Sequence, residues 1–232
     1  MPEHHEIYNK NADIYDNLVS HEDYKGNLLN EIKRLFSLEG KDVVEMGAGT
    51  GRITGLIAPY IKSIKAFDIS QHMLDFAKTK LDLLDLNNWE FAPADNRTIP
   101  LPDNCADLVI SGWSIGYFAS WKNKAWKKDT KKAVDEMERM LKPRGAAIII
   151  ETLGTGHKQP TEPTKELSDY YAFLESKLGF TRSWIRTDYK FNSVKDAEKT
   201  VRAFFGDELG NYLRDNNTAV LPECTGLWAK NV

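Results

Sequence analysis

Residues 42–52 read Asp-Val-Val-Glu-Met-Gly-Ala-Gly-Thr-Gly-Arg, and few folds accommodate such a run. Two β-branched residues ahead of three glycines at alternate positions predict a short buried strand entering a tight turn. Ile53, Leu56 and Ile57 then recur at helical spacing. In a strand, glycine turn and helix of this kind, Gly47, Gly49 and Gly51, with Ala48 between the first two, bring bare backbone up to a ligand. The start of the helix adds N–H groups with no partner inside it. Two ligand classes are excluded by the same residues. A dinucleotide fingerprint has glycines at its first, third and sixth positions, and the sixth here is Arg52. A phosphate-cradling P-loop ends in Gly-Lys-Ser/Thr, whereas Gly51 is followed by Arg52 and Ile53. What remains is an acidic residue, Glu45, at the strand end before the glycines, a set suited to a ligand with an amino group and no phosphates.

At 232 residues the chain fits one domain spanning 1–232, large enough to bury roughly 70% of its unfolded surface without disulfide or metal. The 31 Lys and Arg nearly balance 34 Asp and Glu, which gives no general attraction to nucleic acid or to an anionic membrane. Cys105 and Cys224 lie too far apart in sequence for a zinc or iron–sulfur spacing, which excludes radical chemistry on a cysteine-held cluster. No run of 18 apolar residues occurs, and residues 1–10 carry charges and histidines where a signal peptide needs an apolar stretch. The expected compartment is the cytoplasm.

Along the chain, 7–19 predicts an amphipathic arm with Tyr8 and Tyr15 on one side, and 24–36 a helix ending before Gly40. Residues 64–69 predict a second strand, with Asp68 at its end and Ser70 as cap of the next helix. Asp68 stands 17 residues after Gly51, about where nucleotide folds place a carboxylate for ribose hydroxyls. Further strands are expected at 89–92, 107–111, 146–150, 180–191 and 226–229, and helices at 126–141, 165–178 and, once or twice, within 193–213.

Acidic-x-Gly-x-Gly-x-Gly at 45–51 resembles the first motif of the class I S-adenosylmethionine-dependent methyltransferases. Later landmarks follow in that family's order: Ala94-Asp95-Asn96 with Leu101-Pro102, the strand starting at Asp107, Glu138-Arg139-Met140-Leu141-Lys142-Pro143 and the apolar strand after it. Arg144 departs from the pattern, standing where many members have glycine. The resemblance covers about residues 8–152. It implies an α/β fold, a doubly wound, mostly parallel seven-stranded sheet of Rossmann-like type, with an N-terminal helical arm over 1–36 and a helical insertion at 193–213 before the last strand. It also implies S-adenosyl-L-methionine as cofactor. Glu45 and the backbone of Gly47 and Gly49 would hold the methionine part, Asp68 the ribose, Asp95 the adenine amino group and the Asn96 backbone the ring. Ser111, ending the fourth strand, would face the amino acid end. Ile69 and Met46 would pack around the site, and Tyr8 and Tyr15 would fold over it. Facing only a ligand, Asp68 is expected to be dispensable for stability.

For the acceptor, Trp113, Tyr117, Phe118 and His157 follow the carboxyl ends of strands four and five, with Tyr189, Phe204 and Phe205 arriving from the later part. His157, between Gly156 and Lys158, is the candidate base for a hydroxyl or amine acceptor, and Tyr117 a second catalytic candidate. The expected acceptor is a small, largely apolar or aromatic molecule, enclosed by the arm and the insertion, and methylated at oxygen, nitrogen or carbon. An Asn/Asp-Pro-Pro-Tyr subtype is excluded by Ser111-Gly112-Trp113-Ser114. Nucleic-acid or protein methylation is the alternative, through Lys122, Lys124, Lys127, Lys128, Lys131 and Lys132 with Trp121 and Trp126, although such a run reads first as the solvated face of a helix. An alternative of another class is a non-catalytic S-adenosylmethionine-binding regulatory module. No metal, nucleic-acid or membrane partner is expected, and the oligomeric state is left open.

Overall fold

Five runs rich in Val, Ile, Leu and Ala lie side by side in the computed structural model, which describes residues 12–120 and 124–232. They are β1 (Asp42–Met46), β2 (Ser63–Asp68), β3 (Trp89–Pro93), β4 (Ala106–Gly112) and β5 (Leu141–Thr155), all parallel. β6 (Thr181–Arg186) and β9 (Glu223–Asn231) complete a seven-stranded sheet of order β3-β2-β1-β4-β5-β9-β6, in which β9 runs antiparallel to both neighbours. Two short strands, β7 (Tyr189–Lys190) and β8 (Val220–Leu221), pair separately.

Neighbouring residues of each central strand serve opposite faces, so the strands are apolar on both. Val43, Leu108, Ile110, Ile148 and Ile150 pack with α2 (Asn27–Leu35), α3 (Arg52–Ile57) and α4 (Gln71–Leu81). Val44, Val109, Ala147 and Ile149 pack with α6 (Trp126–Met140) and α7 (Lys165–Ser176), beside the short α5 (Tyr117–Ser120). Helix faces on both sides of one sheet make it doubly wound. A third cluster lies apart from the sheet. It joins Leu18 of α1 (Ala12–Ser20), Tyr189 and Phe191 to Ala197 and Val201 of α8 (Val194–Phe205) and Leu213 of α9 (Asp207–Asp215). Ser70 caps its helix as expected, accepting from Met73 N–H, and Ser193 caps α8, accepting from Asp196 N–H.

The structure amends several boundaries. The run expected as one strand over 180–191 is two, in different sheets. Thr187 N–H donates to Glu223 O (3.0 Å) and Asp188 Oδ1 accepts from Glu223 N–H (3.0 Å), so the chain turns around the start of β9. The 193–213 segment divides at Gly206, whose φ is 89°. β5 begins early, at Leu141, and Arg144 takes φ 68°, the left-handed conformation that glycine adopts without strain. Of the arm, 12–20 is helical, whereas Tyr8 lies outside the described residues, as do Trp121 and Lys122 of the lysine run. Lys124 is exposed just before α6 and Lys127, Lys128, Lys131 and Lys132 are exposed on it, while Trp126 turns edge-on to Phe173 at 5.6 Å.

Candidate active site

Parallel strands end together, and the carboxyl ends of β1, β2, β3 and β4 open into a cavity of about 340 Å³. The glycine turn forms its floor. Gly47 and Ala48 N–H both donate to Phe67 O (2.7 and 2.8 Å), which ties the turn to β2. Gly47 has φ 78°, and a Cβ there would lie 1.9 Å from Ser114 Oγ and 2.3 Å from Ser114 Cβ. Ser114 in turn accepts from Asn96 Nδ2 at 2.9 Å, so the absent side chain lets two loops close on each other.

Asp68 sits opposite. Its Oδ2 accepts from Gly49 N–H and its Oδ1 from Ser70 N–H, each at 2.8 Å. Burial pushes its carboxyl above the ordinary range, against the pull of these N–H donors. Asp68 is therefore a clamp on the glycine turn as well as a cavity wall, which corrects the expectation that it is dispensable for stability. Asp68→Ala should lower affinity for the cofactor roughly ten- to a hundredfold, the value of about 1.5–3 kcal/mol for hydrogen bonds to a charged group, and should also lower the melting temperature. Calorimetry and a thermal melt on the same preparation check both. An unchanged melt would show that the turn does not depend on the clamp.

Glu45 is 1% exposed, lines the cavity and accepts the Thr54 hydroxyl. Burial, with the Asp68 charge nearby, raises its carboxyl to about 8 despite that bond. Asp95 is held by Arg97, whose Nε and Nη2 reach its two oxygens at 2.9 and 2.5 Å, and this pairing keeps its carboxyl below the ordinary range. Asp95, Asn96 and Tyr15 all line the cavity. Ile69, 76% exposed, presents an apolar side chain at its wall.

Three residues stand elsewhere than expected. Ser111 is buried inside β4, paired with Ile149, and does not line the cavity, because β4 runs on to Gly112 and leaves Gly112, Trp113 and Ser114 at the mouth. Gly51 caps α3 and faces inward, where a Cβ would lie 3.1 Å from Ala77 Cβ and Leu81 Cδ1, so its role is helix packing. His157 is exposed and lines neither this cavity nor its neighbour. β5 extends to Thr155, and Gly156 N–H bonds to Pro222 O at 2.7 Å, which carries the chain away from the crevice. A general base at His157 is not supported.

A second cavity of about 200 Å³ adjoins the first, sharing Tyr15, Arg52, Trp113 and Tyr117. Leu18, Tyr189, Phe204 and Phe205 of the third cluster form much of its wall, and Phe118 lines the first cavity instead. Tyr117 opens α5, in a loop fastened by Glu151, whose Oε1 accepts Gly116 N–H at 2.8 Å. Burial raises the Glu151 carboxyl from 4.5 to about 8. Between those values the unfolded chain is ionised there and the folded one protonated, so this group's contribution to stability falls as pH rises through the window and levels off above it. Glu151→Gln keeps an acceptor for Gly116 and should flatten the decline in melting temperature between pH 5 and 8. Equal slopes for both proteins would remove Glu151 as a source.

Sequence reasoning passed over Arg52, Thr50, Glu22 and Glu223. Arg52 Nη1 bonds Glu22 Oε2 at 2.7 Å, and its guanidinium lies 4.3 Å from the centre of the Trp113 ring. A cation in the first turn of a helix opposes the helix dipole, and that was the available signal for a buried partner. Glu22 and Glu223, far apart in sequence, gave none.

The cavity fits S-adenosyl-L-methionine by its donor set. Arg52 and Arg97, the arginines on its wall, are each bonded to a carboxylate and form no phosphate cradle. Glu45 and Asp68 offer acceptors to an ammonium and to hydroxyls, and the Thr50 hydroxyl, buried on the same wall, has no partner among the described residues.

The methyltransferase domain family matches residues 44–149. An uncharacterized methyltransferase, C25B8.09 of Schizosaccharomyces pombe, is 27% identical over 213 residues, 83% of this chain and 77% of its own. The ubiquinone/menaquinone biosynthesis C-methyltransferase UbiE of Psychromonas ingrahamii is 27% identical over 146 residues, 61% of this chain and 53% of its own. The chain spans about half the length of several other curated relatives it matches. A crystal structure of an Aquifex aeolicus S-adenosylmethionine-dependent methyltransferase superposes with TM-score 0.60 at 17% identity, covering 95% of this chain and 98% of that one. Residues 44–149 thus match a methyltransferase domain, and the chain as a whole shares the Rossmann-like fold of the S-adenosylmethionine-dependent methyltransferases.

Proposed function

We propose that this chain transfers a methyl group from S-adenosyl-L-methionine to a small molecule held in the second cavity. One observation carries the reading: a donor-sized cavity with the family's acidic and glycine residues opens directly beside a smaller, aromatic one, through Tyr15, Arg52, Trp113 and Tyr117. The bound cofactor supplies an already activated methyl group, so the chain's own residues need to bind, align and exclude water. Glu45, Gly47, Gly49 and Asp68 would hold its amino acid and ribose parts, and Ile69, Asp95 and Asn96 its base. The arm and the insertion, packed together in the third cluster, would cover the acceptor. A cavity of about 200 Å³ favours a small acceptor over a nucleic acid or protein, in keeping with a relative named for ubiquinone and menaquinone biosynthesis. Tyr117, at the junction, would orient the acceptor.

Calorimetry should give saturable binding of S-adenosyl-L-methionine and of its demethylated product, with NAD and ATP much weaker. Incubation of cell extract with methyl-labelled cofactor should place label in the low-molecular-mass fraction. Label recovered in RNA or protein would overturn the small-molecule reading, and tighter binding of NAD would overturn the cofactor.

A further inference from the structure

Two buried carboxyl groups each have one oxygen without a hydrogen-bond partner among the described residues, Glu22 Oε1 and Glu223 Oε2, and both residues line the second cavity. Their other oxygens are engaged, Glu22 Oε2 by Arg52 at 2.7 Å and Glu223 Oε1 by the Thr152 hydroxyl at 2.6 Å, and the Tyr189 and Thr155 hydroxyls on the same wall also act on Glu22 and Glu223 respectively. The Glu22 side chain is 3% exposed, and Glu223 is 2% exposed. Buried acceptors of this kind call for donors. Glu22 and Glu223 come from distant parts of the chain, one after α1 and the other at the start of β9, and meet only at this wall.

Charge narrows the choice of donor. Burial, followed by the Glu22 charge, pushes the Glu223 carboxyl up, as expected for acids sharing a dry site. Among the described residues Arg52 is the only cation on this wall, and it already serves Glu22 while lying over Trp113. A carboxylate or phosphate ligand would add a further negative charge to this pair. A neutral alcohol has one hydrogen to donate, whereas an ammonium has up to three and supplies the counter-charge that favours the ionised form of Glu223. The remaining wall suits an apolar body beside a cation: Leu18, Phe204 and Phe205 are apolar, and Tyr15, Tyr117 and Tyr189 add aromatic faces.

We propose that the second cavity is an amine site, taking a small alkyl- or arylalkylammonium whose nitrogen donates to both Glu22 and Glu223 while its apolar body packs against Leu18, Phe204 and Phe205. This rests on the methyl-transfer reading, for which it names the class of acceptor: before transfer the ammonium would pass one proton to the Glu223 carboxylate, which frees the nitrogen lone pair to take the methyl group as the carbon–sulfur bond breaks and the demethylated cofactor leaves.

Calorimetry on the full chain, with and without the demethylated cofactor, tests it with two probe series: 2-phenylethylamine, 2-phenylethanol and 3-phenylpropanoate, then hexylamine, hexanol and hexanoate. In each series the amine should bind at least about tenfold more tightly than the alcohol, with the acid weakest. Glu223→Gln keeps an oxygen for Thr152 and removes the charge. It should erase most of the amine's advantage while leaving the affinities for the alcohol and for the cofactor product unchanged. An alcohol or acid that outbinds the amine in the unaltered protein overturns the site, and so does an equal loss for amine and alcohol in E223Q. Saturable cofactor-product binding without amine preference would remove the amine site alone. Amine preference in a protein that does not bind the cofactor product would remove the methyl-transfer reading alone.

Discussion

Gly47→Ala should cost the protein about 2–5 kcal/mol of stability and lower its turnover roughly a hundredfold. A residue with a side chain at φ 78° carries a left-handed penalty of about 1–2 kcal/mol. The new methyl would also overlap Ser114, whose Oγ and Cβ lie 1.9 and 2.3 Å from its position, and forcing a packed contact of this kind apart costs about 1–3 kcal/mol more. Since Ser114 accepts from Asn96, the displacement spreads from the glycine turn to the Asp95-Asn96 loop on the cavity wall, and misplacement by about 1 Å is worth about a hundredfold in rate. Thermal melts, calorimetry with the demethylated cofactor and turnover measure the three effects. The double variant G47A/S114G removes the overlap and should recover the steric part, leaving the backbone penalty. A single variant that melts and binds like the parent would mean the two loops are not closed on each other.

Arg52→Ala should be the most destabilising change at the cavity wall. It leaves Glu22, 3% exposed, without its counter-charge, and breaking a buried pair from one side costs about 3–5 kcal/mol. For a chain of this size that is a fall of roughly 6–20 °C in melting temperature. The guanidinium's stacking on Trp113 is lost as well. Replacing both partners with apolar residues, Arg52→Met with Glu22→Leu, should restore most of the stability, since the pair itself is close to neutral once neither charge is left alone. A double variant no better than Arg52→Ala would show that Arg52 acts through Trp113 or the turn instead of through Glu22.

What the sequence disclosed was local. The glycine turn, Asp68 at the end of β2 and the cap at Ser70 rest on residues a few positions apart, and each stands where its spacing predicted. The strands apolar on both faces announced a parallel sheet covered on both sides. The errors came from non-local pairing. Whether Phe180 to Phe191 is one strand or two depends on where Glu223 docks, some 35 residues on. His157 left the crevice because Gly156 pairs with Pro222, and Ser111 sank into β4 because the ladder with β5 continues to Gly112. Glu22, Arg52 and Glu223 form one wall only after the arm, the turn and β9 have met.

The position of β9 between β5 and β6 also sets an order of events during synthesis. β6 pairs with no other strand, and β5, apolar on both faces, has an open edge until residues 223–231 arrive. A nascent chain that has emerged only as far as α9 thus carries a long unpaired strand edge, a hazard for association with other chains. The same strand brings Glu223, so the wall of the second cavity and the protected sheet are completed in one step, and a ribosome-bound intermediate in which every residue lining the first cavity has emerged would still lack part of the second.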